Sequence, residues 1–325
     1  MGGMSPAPPE GSGEPHDGPA GSRSGPSPAA GSGEPHGGAP VNAPELAAAE
    51  GATRRFGELL AVDGVDLTVA GGEVVGLIGA NGSGKTTLIR MLLGLLAPTA
   101  GRVRLFGEPP SLRTRARLGY VPQSLGLYED LTVAENLAFS AAAYGTRRPA
   151  LEGDLAQAGD TVVRDLPLGL RRRAAFAIAL AHHPDLLVLD EPTSGVDPLQ
   201  RARLWETIRS SAEQGAGVLV TTHHMAEASQ CDRLVVLAGG RVVAAGSLPD
   251  IVGDATAAEV RTPGWEAAFT ALDAAGLPVS LTGRTLRVPG ADPDAVRRLL
   301  ADAGVPAEVT SVRASFEETF VTLAS

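Results

Sequence analysis

Three short apolar runs alternate with longer segments of helical periodicity along the chain. The runs are EVVGLIG (73–79), LLVLDE (186–191) and GVLVTTH (217–223), each bounded by turn-forming or polar residues. Continuous apolar runs of this length are typical of parallel strands buried on both faces. Helical segments between such strands form βαβ units. The pattern therefore predicts an α/β domain over residues 45–253.

Two smaller regions are predicted beside this core. Segments 59–73 and 101–110 have the pattern of exposed hairpin strands, which indicates a small antiparallel sheet. After residue 253 the chain again combines strand patterns with amphipathic helix patterns, and it ends in ASFEETFVTL (314–323). Residues 254–325 are predicted to form a small α+β C-terminal domain.

The first 44 residues have a different composition from the rest of the chain. They are rich in Gly, Pro and Ser and contain no aromatic side chain, and GSGEPHDG (11–18) recurs as GSGEPHGG (31–38). Such a segment buries too little apolar surface to offset the entropy lost on ordering. Residues 1–44 are therefore predicted to be a disordered tail.

Charge and cysteine usage narrow the function classes. The formal net charge is −10, which argues against a nucleic-acid groove as the main surface. The single cysteine, Cys231, excludes an internal disulfide and is expected to be a buried small hydrophobe. No apolar run reaches the roughly 18 residues of a membrane span, and no secretion signal is recognised, so a cytoplasmic location is expected.

The segment GANGSGKTT (79–87) fits the phosphate-binding loop G-x-x-x-x-G-K-[ST]. Its lysine, Lys85, is the only lysine among 27 basic residues, and a compact ammonium fits a ring of amides better than a forked guanidinium does. The following segment, 86–96, is predicted to be a helix whose N-terminus adds positive charge. The Lys85 ammonium would reach the β- and γ-phosphates, and the Thr86 hydroxyl would bind Mg²⁺. The predicted nucleotide-binding residues here are Gly79, Asn81, Gly82, Ser83, Gly84, Lys85, Thr86 and Thr87.

Polar side chains that end or follow the other strands supply candidate chemistry. At the end of LLVLDE, Asp190 would hold Mg²⁺ and Glu191 would act as general base for the attacking water. His223, at the end of the next strand, could hold the γ-phosphate and that water. Gln123, in GYVPQS, could reach Mg²⁺ or the water, although taken alone its pattern favours a surface loop residue. Phe56 could stack on a nucleobase, although it could also be a core aromatic.

With these motifs in this order, residues 53–246 resemble the nucleotide-binding subunits of ATP-binding cassette (ABC) transporters. The resemblance identifies the phosphate loop as Walker A, LLVLDE as Walker B, Gln123 as the Q-loop glutamine and His223 as the switch histidine. It also places Asp197 in the D-loop and Phe56 at the adenine. PTSGVDP (192–198) and the final ASFEETFVTL further resemble the ATPase subunits of daunorubicin-resistance and ABC-2 type drug exporters. The fold class implied is a P-loop NTPase of the ABC type.

The resemblance implies partners as well as a fold. Two ATPase subunits, identical or different, would sandwich two ATP molecules and drive a separate transmembrane permease, which segment 124–139 would contact. The chain would then lie on the inner face of the plasma membrane through that permease. The family signature L-S-G-G-Q corresponds to LPLGL (166–170), in which Pro167 replaces the serine and only Gly169 keeps its place for contact with nucleotide. A short segment before it also predicts an abbreviated helical subdomain.

Three functions are compatible with these residues. The first is an ATP-hydrolysing subunit that energises export of a drug, antibiotic or lipid-like compound. The second is an ABC ATPase that acts away from membranes, but that class usually carries two cassettes or a coiled-coil insertion. The third is a nucleotide-binding regulator with weak hydrolysis, suggested by the altered signature and opposed by the intact Glu191 and His223. The sequence favours the first.

Overall fold

The computed structural model describes residues 43–324, so the predicted disordered tail lies almost entirely outside the described residues. Strands and helices alternate through this part of the chain. The strands are β1 (Glu45–Phe56), β2 (Leu59–Ala70), β3 (Val74–Ile78), β4 (Ala100–Leu105), β5 (Leu118–Val121), β6 (Leu186–Asp190), β7 (Gly217–Thr222), β8 (Arg233–Ala238), β9 (Arg241–Gly246), β10 (Thr256–Arg261), β11 (Ser280–Thr282), β12 (Thr285–Pro289) and β13 (Glu308–Arg313). The α-helices are α1 (Lys85–Leu92), α2 (Leu112–Arg115), α3 (Val133–Tyr144), α4 (Gly153–Gln157), α5 (Leu168–Leu180), α6 (Pro198–Glu213), α7 (Leu248–Val252), α8 (Trp265–Ala274), α9 (Pro293–Asp302) and α10 (Phe316–Ala324).

A six-stranded mixed sheet forms the centre of the molecule, in the order β5-β6-β7-β3-β8-β9. Its first five strands are parallel, and β9 runs antiparallel to β8. Every residue of β3, β6 and β7 is buried, because helices and a second sheet cover both faces. The three apolar runs of the sequence are these strands, as predicted.

A three-stranded antiparallel sheet, in the order β2-β1-β4, faces the central sheet across helix α1. The sequence predicted β2 and β4 but not β1, whose run of small alanines lacks the β-branched residues typical of strands. One side of β2 is buried, so this sheet is less exposed than the hairpin pattern suggested. The two sheets and α1 share one apolar core.

Helix α1 ends earlier than the sequence predicted. The sequence predicted a helix over residues 86–96. The helix instead ends at Leu92, Gly94 adopts a positive φ of 67°, and Leu95 is 60% exposed. A glycine in the left-handed region is a common helix stop, and it turns the following residues away from the core.

Helices α3, α4 and α5 form a small helical subdomain around a separate apolar cluster. Helix α4 has five residues, and the abbreviation of this subdomain relative to the family stays a prediction. The members of the cluster are Val133, Leu155, Ala158, Val163, Leu166 and Ala174.

The C-terminal residues form a four-stranded antiparallel sheet, in the order β11-β12-β10-β13, with α8 and α9 packed against its core. The final helix, α10, also contacts the core of the central sheet. Its Phe316 and Phe320 pack against an apolar cluster that includes residues of β3, β6 and β7. The boundary at residue 253 stays a prediction. Within residues 43–324, no helix has both the length and the apolar character needed to cross a bilayer.

Candidate active site

The phosphate loop connects β3 to α1 at the carboxyl edge of the central sheet. Gly82 and Gly84 adopt positive φ angles of 82° and 106°, and Gly84 is the N-cap of α1. A Cβ added to Gly84 would lie 2.5 Å from the carbonyl oxygen of Ala61. One added to Gly79 would lie 2.3 Å from the Ser83 hydroxyl. The positive φ angles favour glycine at residues 82 and 84, and the close neighbouring atoms leave no room for a side chain at residues 79 and 84.

Lys85 is the first residue of α1 and is 5% exposed. Its ammonium donates hydrogen bonds to the carbonyl oxygens of Gly79, at 2.8 Å, and Ala80, at 3.1 Å. Burial lowers the Lys85 pKa, and the nearby carboxylates of Glu191 and Asp190 oppose that shift. The loop thus curls around a buried cation that faces two acidic side chains.

Asp190, at the end of β6, is held between two threonine hydroxyls. The Thr86 hydroxyl donates to Asp190 Oδ2 at 3.0 Å, and the Thr221 hydroxyl donates to Oδ1 at 2.6 Å. A carboxylate beside a hydroxyl is a donor set that suits Mg²⁺, which prefers oxygen ligands and is usually shared with substrate phosphates. Among residues 43–324, no group of three His, Cys, Asp or Glu side chains forms a dedicated metal site.

Glu191 is the meeting point of three predicted catalytic residues. Gln123 Nε2 donates to Glu191 Oε2 at 3.3 Å. His223 Nδ1 lies 3.3 Å from Glu191 Oε1, although not in the alignment of a hydrogen bond. Glu191 is 8% exposed and adopts a positive φ of 51°, which is unusual for a residue with a side chain. The structure therefore brings Gln123, Glu191 and His223 together beside the phosphate loop.

The remaining predicted residues, within residues 43–324, are not hydrogen-bond partners of the Glu191 carboxylate. Phe56 is 44% exposed and lies under the Arg54 guanidinium, whose carbon is 4.6 Å from the ring centroid. Gly169 lies in the first turn of α5, and Asp197 caps α6 by accepting from the Gln200 amide at 3.0 Å. In the phosphate loop, Asn81 and Gly82 are exposed, Ser83 is buried and Thr87 is half-buried.

Pro167 occupies the N-cap position of α5, one residue before the first turn of the helix. Its extended backbone, with φ −56° and ψ 147°, begins the helix without a side-chain hydrogen bond to the exposed amides. Leu168 follows with 43% of its surface exposed. The backbone amides at the N-terminus of α5 therefore lack a side-chain capping hydrogen bond.

Sequence reasoning missed Thr221, which supports both acidic residues. Its hydroxyl donates to Asp190 and accepts from the Glu191 amide at 2.9 Å. The signal was present in the sequence, because two threonines end an otherwise apolar buried strand. A hydroxyl in such a place needs a polar partner.

Comparison with known proteins identifies the family of the chain. A family model described as ABC transporter matches residues 62–194. The chain is 40% identical over 232 residues to the probable multidrug ABC transporter ATP-binding protein YbhF of Escherichia coli K12. The aligned region covers 68% of this chain but only 40% of YbhF. It is 37% identical over 297 residues to the daunorubicin resistance ATP-binding protein DrrA3 of Streptomyces coeruleorubidus, covering 84% of this chain and 94% of DrrA3.

Solved structures give the same result. The structure of an ATP-binding subunit of an ABC transporter matches with a TM-score of 0.60 and 32% identity, over 63% of this chain and 91% of the other. A bacterial Atm1-family ABC exporter with ATP bound matches with a TM-score of 0.57 and 25% identity, over 66% of this chain and 40% of the exporter chain. The phosphate loop, the paired acids and these matches together show that the chain belongs to the family of ABC transporter ATP-binding proteins.

Proposed function

We propose that the chain binds Mg-ATP, hydrolyses it and thereby energises export through a separate membrane protein. The observation that carries this proposal is the convergence of Gln123 and His223 on the Glu191 carboxylate beside the phosphate loop. A site for nucleotide storage would not need a buried carboxylate with these two neighbours. The arrangement instead suits activation of a water molecule.

In this proposal the loop amides and Lys85 bind the β- and γ-phosphates. Thr86, Asp190 and Gln123 hold Mg²⁺, which when bound neutralises the charge on the phosphates. Glu191 accepts a proton from the attacking water, and His223 holds the γ-phosphate in line with it. Phe56, exposed at the edge of the antiparallel sheet, stacks on the adenine.

The positions of Gly169 and Asp197 suit a site that two chains complete together. Both lie at helix N-termini, Gly169 on α5 and Asp197 on α6. Within residues 43–324, neither is a hydrogen-bond partner of the Glu191 carboxylate. The proposed function places them against the nucleotide of a second ATPase chain, identical or different. The N-terminus of α5 is suitable there, because its free amides attract phosphate charge, whereas Asp197 already accepts from an amide of α6.

An export role is supported by the names of the relatives and by one surface feature. YbhF is named for multidrug transport and DrrA3 for daunorubicin resistance. In segment 124–139, Tyr128 and Phe139 are 53% and 54% exposed and pack edge to face, with ring centroids 4.9 Å apart. Two exposed aromatic rings in contact suit a protein interface. The chain would then act at the cytoplasmic face of the membrane, bound to its permease.

The coupling can be tested with a variant that spares the ATP site. Wild-type chain should co-purify with a membrane protein that stimulates its ATP hydrolysis. Tyr128→Ala combined with Phe139→Ala should keep the hydrolysis of the isolated chain and lose the stimulation. A wild-type chain that co-purifies with no membrane protein, and whose hydrolysis no membrane fraction stimulates, would contradict the export role and favour an ABC ATPase that acts away from membranes.

A further inference from the structure

One buried arginine contacts the loop that carries the proposed general base. Arg172 lies in α5 and is 6% exposed. Its Nη1 donates to the carbonyl oxygens of Glu191, at 3.0 Å, and Pro192, at 2.7 Å. Its Nη2 donates to the carbonyl oxygen of Ser194. Three carbonyl groups of a four-residue loop are therefore bound by one guanidinium.

Burying a cation against neutral carbonyls costs desolvation free energy, so the geometry that the contact holds is of interest. Burial lowers the Arg172 pKa, and the Glu191 carboxylate partly offsets that shift. An arginine stays protonated despite such a shift, and its fork of fixed donors holds several acceptors at once. The loop geometry is thus fixed by a group that cannot easily rotate away.

The backbone of Glu191 explains why this fixation matters. A φ of 51° is strained for a residue with a side chain and persists only when neighbouring groups hold it. The Glu191 amide donates to Thr221 on β7, and the Glu191 carbonyl accepts from Arg172 on α5. The strained residue is therefore held on both sides. Release of one side would let its carboxylate swing away from Gln123 and His223.

We propose that Arg172 is a positioning residue for hydrolysis: its guanidinium holds the loop 191–194 so that the Glu191 carboxylate stays aimed at the reacting water. The inference rests on the proposed hydrolytic function. Arg172 acts through the backbone, because its guanidinium donates to the carbonyl oxygens of Glu191, Pro192 and Ser194. Its loss should therefore reduce the rate of the chemical step and leave ATP binding unchanged.

The test compares Arg172→Lys with Arg173→Lys in single-turnover ATP hydrolysis by the full chain. Lysine keeps the charge, but its donors all lie on one nitrogen, so it lacks the fixed fork with which Nη1 and Nη2 reach separate carbonyls. Arg173 is the matched control, because it is the next residue of α5 and pairs with Asp154 away from the loop. Arg172→Gln, which buries no charge, is made alongside in case the lysine variant does not fold.

We expect the Arg172 variants to hydrolyse bound ATP about tenfold to a hundredfold more slowly, as small misplacement of a catalytic group does. ATP affinity should stay within about twofold of wild type, and Arg173→Lys should match wild type. In a Glu191→Gln background, the Arg172 variants should cause no further loss, because the group that they misplace is already inactive.

Wild-type hydrolysis in both Arg172 variants would overturn the inference. So would an equal further loss on top of Glu191→Gln, or a tenfold loss of ATP affinity, since either indicates a role independent of Glu191. Equal hydrolysis by wild type and Glu191→Gln would refute the proposed function itself and this inference with it.

Discussion

At the scale of single residues, the site depends on how little space surrounds its charged groups. Lys85, Asp190 and Glu191 are each less than a tenth exposed. Lys85 donates to backbone carbonyls, Asp190 accepts from threonine hydroxyls, and the Glu191 carboxylate accepts from Gln123. Substitutions that keep charge but change shape should therefore have large effects.

Lys85→Arg should abolish most ATP turnover although the charge is kept. The ammonium lies between the carbonyl oxygens of Gly79 and Ala80, where a forked guanidinium does not fit. The measurement is steady-state ATP hydrolysis, with Arg90→Lys on the exposed face of the same helix as control. Wild-type turnover in Lys85→Arg would show that the loop tolerates the larger group.

Cys231 should be unreactive in the folded chain. It is 8% exposed, and burial raises the pKa of its thiol to about 12. At pH 8 only about one thiol in ten thousand would be the reactive thiolate, against roughly a quarter for an ordinary cysteine. Iodoacetamide should label the chain only after unfolding in urea. Rapid labelling of the native chain would show that this part of the core opens readily.

Sequence motifs located the residues with distinctive spacing and missed those whose role depends on packing. Lys85 and Glu191 lie in patterns that specify a phosphate loop and a strand end. Arg172 is the middle member of RRR (171–173), and its neighbours have the same side chain. Only the packing of α5 against the loop 191–194 makes this one arginine buried, so the sequence could not single it out.

At the scale of elements, the N-terminus of α5 is the feature that departs from the family pattern. Pro167 leaves it without a side-chain cap, and it has no hydroxyl that could donate to a γ-phosphate in the proposed two-chain site. A hydrogen bond to a charged group contributes roughly 1.5–3 kcal/mol, enough for about a ten- to hundredfold change in an equilibrium. Two copies of this chain should therefore dimerise weakly with ATP.

Pro167→Ser combined with Leu168→Gly should strengthen ATP-dependent dimerisation in a Glu191→Gln background. The serine at the N-cap should also stabilise the helix by about 1 kcal/mol, which roughly offsets the cost of glycine in the first turn. Sedimentation with and without Mg-ATP measures the change. Pro167→Ala with Leu168→Gly is the control without a hydroxyl. Equal dimerisation of the native and serine forms would show that the native loop already binds the γ-phosphate.

At the scale of the whole molecule, the C-terminal residues are joined to the ATPase core by α10. Phe316 and Phe320 pack against the apolar cluster behind the central sheet. The sequence predicted the α+β composition of this region and the final helix. It did not predict where the helix packs, because an amphipathic pattern gives the apolar face of a helix but not its partner.

Phe320→Ala should destabilise the ATPase core as well as the C-terminal sheet. The ring is half-buried, so its loss should cost about 1–2 kcal/mol. That cost should lower the single unfolding Tm by about 2–4 °C. Thr322→Ala, on the exposed part of α10, is the control for helix formation. Calorimetry that shows two transitions, with only the lower one shifted, would contradict this packing.

The most direct test of the account is the effect of Glu191→Gln on the full chain, with ATP binding and single-turnover hydrolysis measured on the same preparation. The substitution keeps the shape of the side chain and removes its ability to accept a proton. Hydrolysis should fall by about 10²–10⁴ while ATP affinity stays within about threefold. Unchanged hydrolysis, or a large loss of ATP affinity, would contradict the role of Glu191 as general base and with it the proposed site.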